Sequence, residues 1–138
     1  MPIANVTLPR LAICLASMFL WIAEAFSQED VELERQKRHV VSRLHQLFHI
    51  GKRSCRGAAP TEFREFNDGV ATLRARNRDF FRLFETSPYF LNPQGLYKEA
   101  LETPVAPQDC GTALWLLRGL LDPEGQKVMG GYLELLRK

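Results

Sequence analysis

The chain has 138 residues, of which 46% are hydrophobic and 25% are charged, and its formal net charge is +2. This length and composition are those of one ordinary globular domain. They exclude a disordered low-complexity chain, and so small a charge argues against a protein that binds nucleic acid.

The first element in the chain is an apolar run from Leu11 to Ala23. Its length is typical of the hydrophobic region of a secretory signal and is too short to cross a bilayer. Small residues before Gln28 fit a cleavage site. We therefore predict a signal peptide over residues 1–27, a single domain over residues 28–138, and a secreted or periplasmic protein without a transmembrane span. An uncleaved anchor is the alternative.

The cysteine positions agree with export. Cys14 would leave with the signal, so that Cys55 and Cys110 remain as a pair. An even number of cysteines in an oxidising compartment favours a disulfide. The sequence has no CxxC motif that would indicate a redox or metal-binding pair. We predict a structural disulfide between Cys55 and Cys110.

Two long helices are expected in the first half of the domain. Apolar residues at helical spacing predict the first from Glu29 to Ile50, with Gly51 as its stop. The second, from Pro60 to Glu85, has apolar residues at alternating spacings of three and four, which is the pattern of a packing seam. Asn77 is its one polar member and either fixes helix register or partner choice, or bonds a nearby backbone group. The seam consists of Phe63, Phe66, Val70, Leu73, Asn77, Phe80 and Phe84.

Three shorter helices are expected in the second half, from Gln94 to Glu102, from Gln108 to Leu121, and onward from Pro123. The middle one is apolar nearly all round and is predicted to be the most buried. The Gly130-Gly131 pair weakens the last helix or lets another helix approach it closely. Because β-branched alternation is scarce, the predicted fold class is all-α: a small, irregular four- to five-helix bundle that is locked by the disulfide.

Two histidines are weak candidates for a metal site. His45 and His49 are four residues apart on one face of the first helix, a spacing at which two imidazoles can bind one metal ion. No HExxH pattern or other motif supplies a third and a fourth ligand. We therefore interpret both as surface or boundary residues, and we predict no metal and no other cofactor.

Arginines in the second long helix are candidate contacts for a partner. Arg74, Arg78 and Arg82 recur every four residues, and Asn77 lies among them. Clustered guanidinium groups bind carboxylates in a forked geometry, so these residues suit an acidic partner. The alternative is a solvated face that nearby acidic residues balance.

Dibasic pairs on either side of His39–Ile50 suggest proteolytic processing. In a eukaryotic secretory pathway such pairs resemble prohormone-convertase sites, and a glycine before a pair resembles an amidation donor. The product would be the amidated peptide His39–Ile50. The residues concerned are Lys37, Arg38, Gly51, Lys52 and Arg53.

No motif for catalysis occurs in the chain: a nucleophile elbow, a phosphate-binding loop and a dinucleotide-binding glycine run are all missing from the sequence. The leading hypothesis is a non-catalytic exported protein that acts through protein–protein contact, as an adaptor, an inhibitor or immunity factor, or a chaperone-like module. Its partner is unidentified. The sequence allows two candidates, an acidic protein and a second copy of the chain that docks on the seam. The alternatives are a peptide precursor and a small metal- or ligand-binding protein.

Overall fold

The computed structural model describes the backbone of residues 4–138 and the side chains of residues 28–138. This described part is helical and contains no strand, which confirms the predicted all-α class. It contains seven helices, two more than the upper limit of the predicted four- to five-helix bundle. The difference arises because the predicted second long helix is divided into two helices and because a short helix follows them. The helices are α1 (Ala4–Arg56), α2 (Pro60–Arg76), α3 (Arg78–Thr86), α4 (Pro88–Leu91), α5 (Gly95–Glu102), α6 (Asp109–Leu121) and α7 (Pro123–Arg137).

The backbone divides into two units, Met1–Arg35 and Gln36–Lys138. In the first unit, the described side chains include an ion pair between Arg35 and Glu32 at 2.7 Å. The predicted signal peptide, residues 1–27, lies outside the residues whose side chains are described. Among the described residues, no helix combines the length and the apolar character that a membrane crossing requires.

Helix α1 does not stop at Gly51, as the sequence predicts, but continues to Arg56. Gly51 is buried, and a Cβ at this position would overlap the ring of Phe66 and lie 3.1 Å from Cβ of Ala113. The glycine therefore permits a close approach of neighbouring helices instead of ending a helix. Close packing, which is a tertiary effect, overrides the local preference of glycine for a helix end.

The predicted second long helix is interrupted at Asn77, between α2 and α3, where the backbone leaves the helical region with φ −133° and ψ 46°. The side-chain amide of Asn77 donates to the carbonyl oxygen of Leu73 at 2.9 Å and to Oε1 of Gln126 at 3.3 Å. Asn77 thus bonds a nearby backbone group, the second of its two predicted roles, and it also connects the α2–α3 junction to α7. An asparagine suits this place because its amide can replace backbone hydrogen bonds where a helix breaks.

Aromatic rings on α3 form the centre of the core of the second unit. The rings of Phe80 and Phe84 are buried and stack with centroids 5.5 Å apart. Helix α2 packs against α6, and α7 packs against both α3 and α6. Most of the predicted seam therefore packs in the interior of its own chain, and association of two copies stays a prediction. The core also contains Val40, Val41, Leu44, Cys55, Phe66, Leu73, Phe81, Cys110, Ala113, Leu114, Leu117 and Met129.

The predicted disulfide is present between Cys55 and Cys110. Both cysteines are fully buried. Cys55 is in the last turn of α1 and Cys110 in the first turn of α6, so the bond fixes the two helices to each other at this end.

Candidate functional site

The sequence of α6 predicts that it is the most buried helix, and this prediction is wrong for one of its faces. Ala113, Leu114 and Leu117 are buried as expected. Trp115, in contrast, is 70% exposed and Leu116 is 43% exposed. Helix α6 packs on α2 and α7, and α1 also contacts it through the Cys55–Cys110 disulfide and the approach of Gly51 to Ala113. Among the described residues, no element covers the side that carries Trp115.

The exposed side of α6 carries one large ring, that of Trp115, between two glycines. Gly111 and Gly119 lie one helical turn before and after Trp115, and at both glycines the space that a Cβ would occupy is open. The indole therefore projects without a flanking side chain at these two positions. We refer to this surface as the outer face of α6, and it consists of Gly111, Thr112, Trp115, Leu116 and Gly119.

A groove with a volume of about 580 Å³ lies beside this face, between α6 and the part of α1 that belongs to the second unit. Its walls are apolar side chains from both helices, and Tyr132 of α7 contributes to the lining. Polar residues also line it: His39, Arg43, Gln46, Asp109 and Thr112. We call this feature the α1–α6 groove; its apolar walls are Val40, Leu44, Leu47, Ile50, Ala113, Leu116 and Leu120.

The charged groups of the groove are far apart. Because Cys55 is bonded to Cys110, Asp109 lies level with the end of α1, whereas Arg43 is three turns away, about 18 Å along the helix axis from Cys55. The carboxylate of Asp109 already accepts a hydrogen bond from the backbone N–H of Ala106 at 3.2 Å. The guanidinium of Arg43 is exposed and has no ion-pair partner among the described residues. Arg43 is therefore an unpaired positive charge at the end of the groove away from Asp109.

The arginines predicted to bind an acidic partner are largely engaged within the chain. Arg74 pairs with Glu85 and also lies over the Phe81 ring, 5.0 Å from its centroid. Arg82 is 3.6 Å from Asp79. Of the three, Arg78 alone has no ion pair within the described residues. Whether these arginines bind a partner stays a prediction. Asn77, which was predicted with them, lies at the break between α2 and α3.

The residues of the predicted processing sites all lie within helix α1. Gly51 is buried, and Arg53 donates to the carbonyl oxygen of Leu101 at 3.2 Å. Arg38 lies over the Tyr89 ring, 5.7 Å from its centroid. A convertase would have to unwind this part of α1 before it reached the two pairs, Lys37-Arg38 and Lys52-Arg53. Processing at these pairs stays an untested prediction.

His45 and His49 both contact the segment around α5. The Tyr97 hydroxyl hydrogen-bonds Nδ1 of His45, whose ring also stacks on Phe90 with centroids 4.4 Å apart. Nε2 of His49 lies 3.0 Å from the carbonyl oxygen of Leu101. A carbonyl can only accept, so this nitrogen carries a proton and cannot bind a metal at the same time. In the described residues, no group of three or more metal-ligating side chains includes these histidines.

Replacement of His45 by asparagine should remove a pH-dependent loss of stability. Burial, together with the neighbouring His49, lowers the pKa of His45 below its ordinary value of 6.5. The unfolded chain therefore takes up this proton at a higher pH than the folded chain. The stability due to neutral His45 is complete above about pH 6.5 and is lost as the pH falls through the lower folded pKa. Asparagine does not titrate, and its Oδ1 can still accept from the Tyr97 hydroxyl.

This expectation is checked by urea unfolding at about pH 8 and about pH 5, on either side of the histidine range. The unmodified protein should lose more stability on acidification than His45→Asn does. His39→Asn is the control, since His39 is exposed on the same helix. An equal loss in the unmodified protein and in His45→Asn would contradict the prediction.

Comparisons of this chain with protein-family models, with curated proteins and with solved structures gave no significant match.

Sequence reasoning missed the outer face of α6 and the groove, although the sequence held a signal for both. A helix that is apolar nearly all round needs neighbours on every side. The predicted bundle offers α6 only a few neighbouring helices, so one of its faces can lack a partner within the chain. Trp115 marks that face.

Proposed function

We propose that this protein is an exported, non-catalytic helical domain that acts through contact with a partner protein, and that the outer face of α6 makes this contact. The observation that carries the proposal is the 70% exposure of Trp115 beside the partly exposed Leu116. Tryptophan is enriched among the residues that dominate binding energy, because a large rigid ring gains much apolar burial at a low entropic cost.

The surroundings of Trp115 suit such a contact. Gly111 and Gly119 leave open space on both sides of the indole, so a partner can approach the ring closely. The helix beneath is held by buried contacts of Ala113, Leu114 and Leu117 and by the disulfide at Cys110. A contact surface that is rigid before binding loses little conformational entropy on binding.

Two features support the exported location. The apolar run from Leu11 to Ala23 has the length of a signal sequence. The Cys55–Cys110 disulfide suits an oxidising compartment, such as the extracellular space or the periplasm.

The partner that fits this surface is a protein with an apolar centre and acidic groups around it. The formal charge of the chain is +2, and Arg43, in the groove beside this face, is exposed without an ion pair among the described residues. Complementary charge at the edge of an interface mainly raises the rate of association and selects among partners. A second copy of the chain is the competing occupant.

The proposal is tested by photocrosslinking in the cells that produce the protein. A photoreactive residue replaces Thr112 on the outer face of α6 or, as a matched control, the exposed Thr72 on α2. We expect a discrete crosslink to a second protein from position 112 and none from position 72. Trp115→Ser should abolish the crosslink and change the free energy of unfolding by less than about 0.5 kcal/mol, because the side chain is exposed.

Crosslinks of equal intensity from both positions, or none from position 112, would contradict the proposed contact. A product with twice the mass of the chain would show that the outer face of α6 joins two copies. The partner would then be a second copy of the chain and not a different protein. Sedimentation of the purified protein then gives the dissociation constant of that dimer.

A further inference from the structure

We propose that the α1–α6 groove is the binding site of an anionic amphiphile, a small molecule with an apolar chain and one carboxylate head group. This inference goes beyond the contact assigned to the outer face of α6, because the ligand occupies the groove of the isolated protein and requires no partner.

The size and the lining of the groove fit the apolar chain. Its volume of about 580 Å³ falls within the range of small-molecule pockets, which is about 300–1,000 Å³. Such pockets are mostly apolar with a few polar groups that orient the ligand, and the groove has this composition. Along α1 its lining extends from His39 to Gly51, about 18 Å of helix, so the site is elongated.

The charge of the groove selects the head group. Arg43 lines it, is exposed, and has no ion-pair partner among the described residues. A guanidinium binds a carboxylate with two parallel hydrogen bonds. His39 lies one turn before Arg43 and can provide a further donor. The acidic residue of the lining, Asp109, is at the disulfide end. Because this end lies more than a Debye length, about 8 Å at physiological salt, from Arg43, repulsion of an anion at Arg43 is largely screened.

The site should prefer a carboxylate head group over a cationic head group on the same alkyl chain. Calorimetric titration of the purified protein with dodecanoate and with dodecyltrimethylammonium, each below its micellar concentration, measures this preference. We expect dodecanoate to bind with a stoichiometry near one and about fivefold more tightly than the cation, as for one exposed charge pair.

Charge reversal separates the role of Arg43 from general hydrophobic association. In Arg43→Glu the preference should invert, so that the cation binds more tightly than dodecanoate. The matched control is Arg64→Glu, an exposed helical arginine outside the groove, which should keep the original preference. An unchanged preference in Arg43→Glu would overturn the proposed head-group site.

A second variant tests whether the groove holds the apolar chain of the ligand. Thr112→Trp places a large ring in the lining from an exposed position and should weaken dodecanoate at least tenfold, whereas Thr72→Trp should not. Uptake of several molecules per chain, unaffected by Thr112→Trp, would overturn the proposal as unspecific association. No binding of either probe would also overturn it and would leave the crosslinking result at position 112 untouched.

Discussion

Replacement of both Cys55 and Cys110 by alanine should lower the free energy of unfolding by about 4 kcal/mol, because the disulfide closes a loop with a sequence separation of 55 residues. In the loop-entropy model, this bond restricts the unfolded chain and so raises its free energy. Single domains are stable by about 5–15 kcal/mol, so the loss is a large fraction of the total. Alanine is the proper replacement, since both positions are fully buried and a serine would add an unsatisfied hydroxyl.

The measurement is urea unfolding of the oxidised protein, the reduced protein and the double variant. Reduction should shift the unfolding midpoint of the unmodified protein close to that of the double variant, and it should leave the double variant unchanged. If reduction left the midpoint of the unmodified protein in place, the disulfide would not stabilise this fold. The assay also relates stability to the compartment, because a reducing environment would remove this contribution.

The fold class and the disulfide could be predicted because both depend on patterns within the sequence. Apolar spacing of three and four residues from Phe63 to Phe84 indicates a helical face that packs on other helices, and the structure buries Phe66, Leu73, Phe80 and Phe84. The disulfide followed from the number and spacing of the cysteines, once Cys14 was assigned to the signal peptide and the domain to an oxidising compartment.

Helix boundaries were predicted wrongly where tertiary contacts decide them. Gly51 has the preference of a helix end, but the ring of Phe66 requires a residue without a side chain there, and α1 continues. Asn77 fits the periodicity of a continuous helix, yet its amide bonds Leu73 and Gln126 and the helix breaks. In both cases the deciding neighbour is distant in sequence, by 15 residues in the first, from 51 to 66, and by 49 in the second.

The candidate site could not be predicted from periodicity, because an apolar pattern does not say which face lacks a neighbour. Trp115 and Leu116 satisfy the pattern of a buried helix as well as Leu114 and Leu117 do. Only the placement of α1, α2 and α7 around α6 shows that two of these residues are exposed. The same holds for the arginines. Acidic side chains fold next to Arg74 and Arg82 and pair with them, whereas Arg43 has no ion pair among the described residues.

Replacement of Gly125 by alanine should destabilise the protein by about 3 kcal/mol, at the upper end of the usual cost of overpacking. Only Asp122 separates α6 from α7, so the first turn of α7 lies directly against the last turn of α6. A Cβ at position 125 would overlap the carbonyl oxygens of Gly119 and Leu120. These are backbone atoms, so no side-chain rotation can relieve the overlap and α7 as a whole has to move.

The matched control is Gly131→Ala in the same helix. Position 131 is exposed and open, so this variant should instead gain about 0.5–1 kcal/mol from the higher helix propensity of alanine. Urea unfolding of the two variants isolates the close approach of α6 and α7 from the general effect of glycine in a helix. Equal stability of the two variants would contradict the close contact between the first turn of α7 and the last turn of α6.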